Sequence, residues 1–486
     1  MQLSLRALRP IALSLSASCL SAACQTGDTP MSPAMNLAGG PALGSAGAPE
    51  RMAATADAPT HPAMREPAYP RPLYPPENPH SDDKALLGKI LFWEEQLSAD
   101  GSTACGTCHQ GRAGGSDPRS ATDAARLPGP DGVLEPLPSV RADDGRGALG
   151  VVRCGADGMP TGQQLQVTGR KPPSAFDAMF NGAVFWDGRA SKDFRDPETQ
   201  ALLITGFLDR QSGRIVGGAL ENQAVGPPMS EVEMACANPS WSALCSRIAR
   251  AVPLALAHDV PSDMQQFIRA HDHSYPRMFA AAFGSALKHS PSEADDVINA
   301  ARIAFAIATY ERLLTSNQTP WDRWNAGDST ALDAQQVRGF ELFMGRANCQ
   351  ACHAPPLFMD LSFHYLGFQP VAQDHGKGGL TDSPPSALGM MKTPTLRNVG
   401  LREPGGLTHQ GDGPGRSLER IVQLYNEGGR RNDPGLGAEI DPLLVPLELT
   451  DDEQRAIIDF LRFGLTDARA MLELPPFDRP RLGSER

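Results

Sequence analysis

Apolar residues recur at helical spacing in five stretches, and these set the outline of the fold. In SDDKALLGKILF, Leu86, Leu87, Ile90 and Leu91 share one face. Ser81 suits the N-cap, and Asp82 and Asp83 complement the positive end of the helix dipole. LDAQQVRGFELFMG repeats that amphipathic plan downstream. Between the two, SPSEADDVINAARIAFAIATYERLL predicts a long alanine-rich helix with Ser290 at the N-cap, Pro291 at N1 and Glu293 at N3. In SLERIVQLYNEGG, Leu418, Ile421, Val422 and Tyr425 fall at i, i+3, i+4 and i+7, between a Ser417 cap and Gly428. LTDDEQRAIIDFLRFG has a Thr450–Glu453 capping box and Gly464 as its stop. Alternating runs are few, so the pattern predicts a mainly α, loop-rich and duplicated protein.

The N-terminal part follows other rules. Residues 1–24 read as an export signal: Arg6 and Arg9, an apolar stretch from Ile11, then small residues before Cys24. Cys24 after LSAA is similar to a lipoprotein cleavage site, so a lipid-anchored and a plainly secreted periplasmic form both stand as expectations. Residues 25–80, rich in Pro, Gly, Ala and Ser, predict a flexible tether because they cannot bury enough apolar surface to offset chain entropy. No later stretch is long and apolar enough to span a bilayer. A formal net charge of -12 argues against nucleic acid as a partner and suits a basic soluble one.

The chemistry lies in two short clusters, ACGTCHQ and NCQACHA, each following an amphipathic helix. A redox dithiol would want a βαβ context, which is missing. A shared zinc site fits poorly with the wide separation and with a histidine directly after each pair. A disulfide across C-x-x-C is compatible with an exported chain. C-x-x-C-H is also the attachment signal for c-type haem: two thiols bond the vinyl groups and the histidine reaches the iron. Two copies favour that reading, with Cys105, Cys108 and His109 for one haem and Cys349, Cys352 and His353 for the other. Cys154, Cys236 and Cys245 remain in a mature chain, and the short spacing of the last two suggests a Cys236–Cys245 disulfide.

Around these clusters, LGKILFWEEQLSADGSTACGTCHQ, GRKPPSAFDAMFNGAVFWDGRAS, GPPMSEVEM, TPWDRWNAGD, GFELFMGRANCQACHAPPLFMD and KTPTLRNVGLREP occur in order. From about residue 82 to 470 the chain resembles the bacterial di-haem cytochrome c peroxidase superfamily, including its MauG-type enzymes. The resemblance implies two cytochrome c-like helical domains. Expected boundaries are 81–290 for a peroxidatic haem domain, 291–333 for an inter-domain helix and linker, 334–475 for an electron-transfer haem domain, and 476–486 for a tail. It further implies that His109 is proximal to the peroxidatic iron, with Glu233 as acid–base catalyst and Gln223 and Pro227 nearby. Trp186 is expected between the haems, although a tryptophan in an apolar stretch is also ordinary core. Arg189 and Arg397 are expected to pair with haem propionates or with neighbouring carboxylates.

Two departures bear on function. Many family peroxidases carry a histidine that blocks the first iron, but none occurs here between His109 and His258. The first iron is therefore expected open and high-spin; a bis-histidine low-spin resonance there would refute this. The position matching the distal ligand of the second haem is Tyr425, as in MauG-type members, where many peroxidases have methionine. Met390 and Met391 compete for that role. A phenolate lowers the potential relative to a thioether and favours the oxidised metal. Family members often bind calcium between domains, but the matching positions here are Lys171 and Arg402, and cationic side chains do not ligate a hard cation. Three functions follow: a peroxidase reducing H2O2 with electrons from a cytochrome c or copper protein, a MauG-type enzyme using peroxide to oxidise residues of a partner protein, and a di-haem electron carrier. Homodimers are common in the family.

Overall fold

The computed structural model describes residues 66–127, 145–155, 157, 159–284, 297–410 and 417–485. The export signal, Cys24, the tether up to residue 65 and the Ser290 cap lie outside them. The fold is mainly helical, with six two-stranded antiparallel pairs among the described residues. None of the described helices is long and apolar enough to cross a membrane.

In both halves a glycine stands where two helices cross most closely. Helix Asp82–Phe92 packs on Ala300–Glu311, where a methyl group on Gly88 would sit 1.9 Å from the Ala306 carbonyl oxygen. Helix Ala334–Met344 packs on Asp451–Asp459, where a methyl group on Gly339 would sit 2.1 Å from the Ala456 carbonyl oxygen. Both glycines precede a buried phenylalanine by four residues, Phe92 and Phe343, one helical turn nearer the C-x-x-C-H cluster. The duplication seen in the sequence is thus a repeated helix crossing that aims an aromatic ring at each cluster.

The predicted caps form at three helices. Ser81 accepts from Lys84 N–H, Ser417 from Arg420 N–H, and Thr450 and Glu453 close their box. Asp451–Asp459 runs on into a π-helical turn, Phe460–Gly464. The central helix starts later than predicted, at Ala300, where the Asn299 side chain caps Arg302 N–H. From Ala300 onward nearly every residue is buried against the first core, so packing rather than the alanine-rich pattern sets where the helix is held.

Two large hydrophobic cores stand out among the described residues. The first joins Leu87, Ile90, Ile303 and Ile307 to the helices Trp241–Arg250, Ser262–Ala270 and Tyr275–Phe283. The residues placed between domains, Ala300–Glu311, belong to this core. So does the end of the chain: Phe477 lies 4.4 Å from Phe176 between ring centres, and Asp478 pairs with Lys89 at 2.8 Å. The second core packs Trp321, Phe340, Phe343, Phe358 and Phe460 in edge-to-face and tilted pairs.

The expected Cys236–Cys245 disulfide does not form; the bridge is Cys154–Cys236, with Cα atoms 5.7 Å apart. Cys245 is the fifth residue of helix Trp241–Arg250 and turns into the first core. Cys154 ends the strand Leu149–Cys154, which lies along the 232–236 segment through Val151 N–H to the Glu233 carbonyl at 3.0 Å. Short spacing in sequence therefore lost to a long-range strand contact. Cys154→Ser is expected to cost about 2–4 kcal/mol of stability to urea, because the bridge closes a long loop. A loss below about 1 kcal/mol would show that strand packing alone holds this segment.

Candidate functional site

The first C-x-x-C-H cluster is fixed by packing. Cys105–Cys108 forms one helical turn, and a methyl group on Gly106 would meet the Trp93 ring at 2.2 Å, so only glycine fits between the cysteines' flanks. His109 turns its Nδ1 to the Gly115 carbonyl at 2.9 Å. In the neutral ring Nδ1 then donates, leaving Nε2 as the free electron pair for a metal. Burial favours that neutral ring by holding His109 below its ordinary range. Burial also pushes the Cys105 thiol up to about 12 and Cys108 up as well, away from the range of a redox dithiol.

Glu233 opens into a cavity lined by Phe185, Arg189, Asn222, Pro227 and Ser230. Burial raises its carboxyl above the usual range, opposed by the Arg189 charge and a hydrogen bond from Ser230. The same carboxylate lies within electrostatic reach of both Cys105 and Cys108. Three ties hold its loop: Val151 N–H to the Glu233 carbonyl, Ala99 N–H to the Met234 carbonyl at 2.8 Å, and the Cys154–Cys236 bridge. Among the described residues lining this cavity there is no histidine. Pro227 lines it directly. Gln223 stands on the preceding helix, Ala219–Ala224, and is not among the lining residues.

The second cluster repeats the proximal device: His353 Nδ1 lies 3.0 Å from the Phe358 carbonyl, and burial lowers the imidazole. The largely apolar cavity beside it is lined by Cys349, Cys352, Trp186, Met391 and Tyr425. All four residues of the predicted face, Leu418, Ile421, Val422 and Tyr425, meet this cavity, as the helical period requires. Burial raises the Tyr425 phenol, and the nearby Cys349 and Cys352 add to the shift. Met390 is not among the lining residues and packs with Tyr365, Leu436 and Ile440, a cluster that Tyr425 also borders. His364 is clamped between Asp360 at 2.7 Å and Asp441 at 2.6 Å, and Asp360 leads in raising its pKa to about 11.

Consecutive residues join the two sites. Phe185 lines the Glu233 cavity and Trp186 lines the Tyr425 cavity. Phe185 takes φ 67°, a strained value for an aromatic residue, and this backbone twist turns the pair toward different sites. The Trp186 indole N–H donates to the Lys171 carbonyl at 2.7 Å, and its own carbonyl accepts from Lys392 N–H at 2.7 Å. His409, buried and held down to about 4 by its burial, sits edge-on to the indole at 6.1 Å.

The two expected arginines differ. Arg189 bonds both Asp187 oxygens at 3.1 Å and lies 3.7 Å above the Phe185 ring, at the Glu233 cavity. Arg397 is fully buried and fully engaged: it forks onto Asp322 at 2.8 Å twice and reaches the carbonyls of Ser316 and Pro356. Of the two partners expected for Arg397, it takes the carboxylate. Lys171 and Arg402 are both buried and within electrostatic reach; desolvation, then Arg402, pushes Lys171 down to about 7. Phe185, Lys392 and His409 were not singled out in the sequence. Phe185 had one signal, its place next to Trp186; the others become visible only through contacts between distant segments.

The family model described as di-haem cytochrome c peroxidase matches residues 82–330, just over half of the chain. The methylamine utilization protein MauG of Methylorubrum extorquens is 29% identical over 391 residues, covering 80% of this chain and 80% of that protein. Cytochrome-c peroxidase IdrP1 of Denitromonas iodatirespirans is 26% identical over 447 residues, 86% of this chain and 89% of that one. Among solved structures, a MauG-like protein associated with microbial copper homeostasis superposes with a TM-score of 0.54 at 22% identity, covering 87% of this chain and 98% of that chain. That likeness is one of fold.

Proposed function

This chain belongs to the di-haem cytochrome c peroxidase family, and we propose that it reduces hydrogen peroxide to water at the Glu233 cavity. Electrons would come from a small redox protein, a cytochrome c or a copper protein, through the second site and Trp186. The enzyme is a di-haem oxidoreductase. Each histidine presents a free Nε2 beside two thiols, a donor set that fits a haem held through Cys105 and Cys108, and another through Cys349 and Cys352. When bound, the haems supply the redox-active iron.

The observation that carries this reading is Glu233. A carboxylate that opens into a cavity within electrostatic reach of the first cluster can take a proton from one peroxide oxygen and return it to the departing one. The Arg189 charge opposes the rise that burial gives the Glu233 pKa. The test is to mix H2O2 with holoprotein, with and without reduced cytochrome c. Rapid, catalytic oxidation of the donor is expected; unchanged donor and unconsumed peroxide would refute it and leave the electron carrier.

Tyr425 favours a second reading, MauG-type oxidation of a partner protein. A phenol at the second site would keep that metal oxidised rather than ready to accept electrons. Tyr425→Met is then expected to raise the second haem's midpoint potential, and slow donor oxidation in the parent should quicken. No rise in potential would exclude Tyr425 as a ligand. Export to the periplasm, as a free or a Cys24-anchored form, completes the proposal. Calcium is left out of it, because the positions that match the family's calcium ligands are the cations Lys171 and Arg402.

A further inference from the structure

Lys392 and Arg402 face the second cavity, and neither has an ion-pair partner among the described residues. Both are buried, 8% and 7% exposed, in a lining otherwise dominated by apolar side chains. Among the described residues, neither has a carboxylate oxygen within 4.0 Å, and the Lys392 ammonium donates to no protein acceptor. Arg402 donates to two backbone carbonyls, Arg397 at 2.9 Å and Thr395 at 2.5 Å. The acids of the same lining are already engaged. Asp374 holds Arg170 at 2.7 and 2.8 Å, and Asp441 holds His364. Lys171 adds a third buried cation nearby, packed against Gly405.

Buried charges are retained in proteins when they are paired, because an isolated one is costly to desolvate. The two cations also repel each other, and Asp360, whose charge reaches Lys392, already holds His364. The arrangement is balanced only when an anion with more than one negative charge enters this cavity. The haem expected there carries two carboxylates. Arg397, one of the two arginines that the sequence offered for that task, is held by Asp322 and is not among the residues lining this cavity.

We propose that Lys392 and Arg402 are the residues that hold the carboxylates of the second haem, and so set its charge balance. The inference rests on this cavity holding haem, which is counted separately from any activity, and not on what the enzyme oxidises. Lys392 is the cleaner handle, because Arg402 also ties backbone carbonyls.

Three variants of the holoprotein test this: Lys392→Met, Lys392→Gln and Lys392→Arg. Pyridine haemochrome spectra count attached haems, and spectroelectrochemistry reads each midpoint. Losing a cation beside the haem favours the ferric state. The Met and Gln variants are therefore expected to shift the second haem's ferric-to-ferrous ratio at least tenfold, about 59 mV downward. Lys392→Arg should stay near the parent, and the first haem should not move. If Met and Gln lose the second haem while Arg keeps it, the charge is needed for seating and the proposal stands. It is overturned if a neutral variant with both haems keeps the parent potential, or if all three lose the haem, which would indicate shape rather than charge. Titrating the parent with inorganic phosphate covers the other source of anion; a second-haem midpoint that moves with phosphate would assign the site to a free anion and overturn it.

Discussion

Glu233→Gln in the holoprotein should lower peroxide turnover by about 10²–10⁴-fold, the range lost when a positioned acid–base group is removed. Both haems should remain attached, since Glu233 touches neither cysteine pair covalently. The acting form is the carboxylate, so the parent's rate should fall as pH drops through the Glu233 pKa. Burial raises that pKa, which places the acid limb above the ordinary glutamate range. The Gln variant should lose this limb. Arg189 lowers the same pKa, so Arg189→Met should move the limb to higher pH. A loss under tenfold, or an unchanged limb in Glu233→Gln, would assign the proton transfer to another group.

Arg397→Met should destabilise the protein by about 3–5 kcal/mol, the cost of leaving one member of a buried pair uncompensated. Asp322 would lose its bidentate partner, while the carbonyls of Ser316 and Pro356 would lose their donor. The guanidinium also lies 5.0 Å from the Tyr69 ring and 5.6 Å from the Trp321 ring, so packing is lost with charge. Lys in its place should recover only part of the loss, because a point charge cannot fork onto a carboxylate. Urea unfolding of variants with full haem content reads the effect. A loss below about 1 kcal/mol would mean that Asp322 finds another partner, such as its own cap at Thr319.

Local chemistry was legible before folding was considered. Ser81, Ser417 and Thr450 cap helices because a side-chain oxygen finds an N–H three residues on, a contact that lies wholly within the local sequence. The face of Leu418, Ile421, Val422 and Tyr425 follows from 3.6 residues per turn. C-x-x-C-H places two thiols and an imidazole together through covalent proximity alone. Even Tyr425's turn toward the second cluster needed only the period and an apolar cavity for it to face.

What crosses the chain was not legible. Cys154 meets Cys236 across a separation of 82 residues because a strand brings it there, whereas Cys245, nearer in sequence, turns into a core. Lys392 was not singled out and Arg402 was read only against calcium; that both are buried at one cavity without an ion-pair partner among the described residues emerges only from the fold. Arg397 was offered for haem or protein carboxylates, and in the fold it pairs with Asp322, 75 residues away. The sequence by itself determined which groups sit within a helical turn of one another, since bond geometry fixes those distances. The tertiary structure decided which charges are paired, which thiols join and what faces each cavity, since burial and electrostatics act through space rather than along the chain.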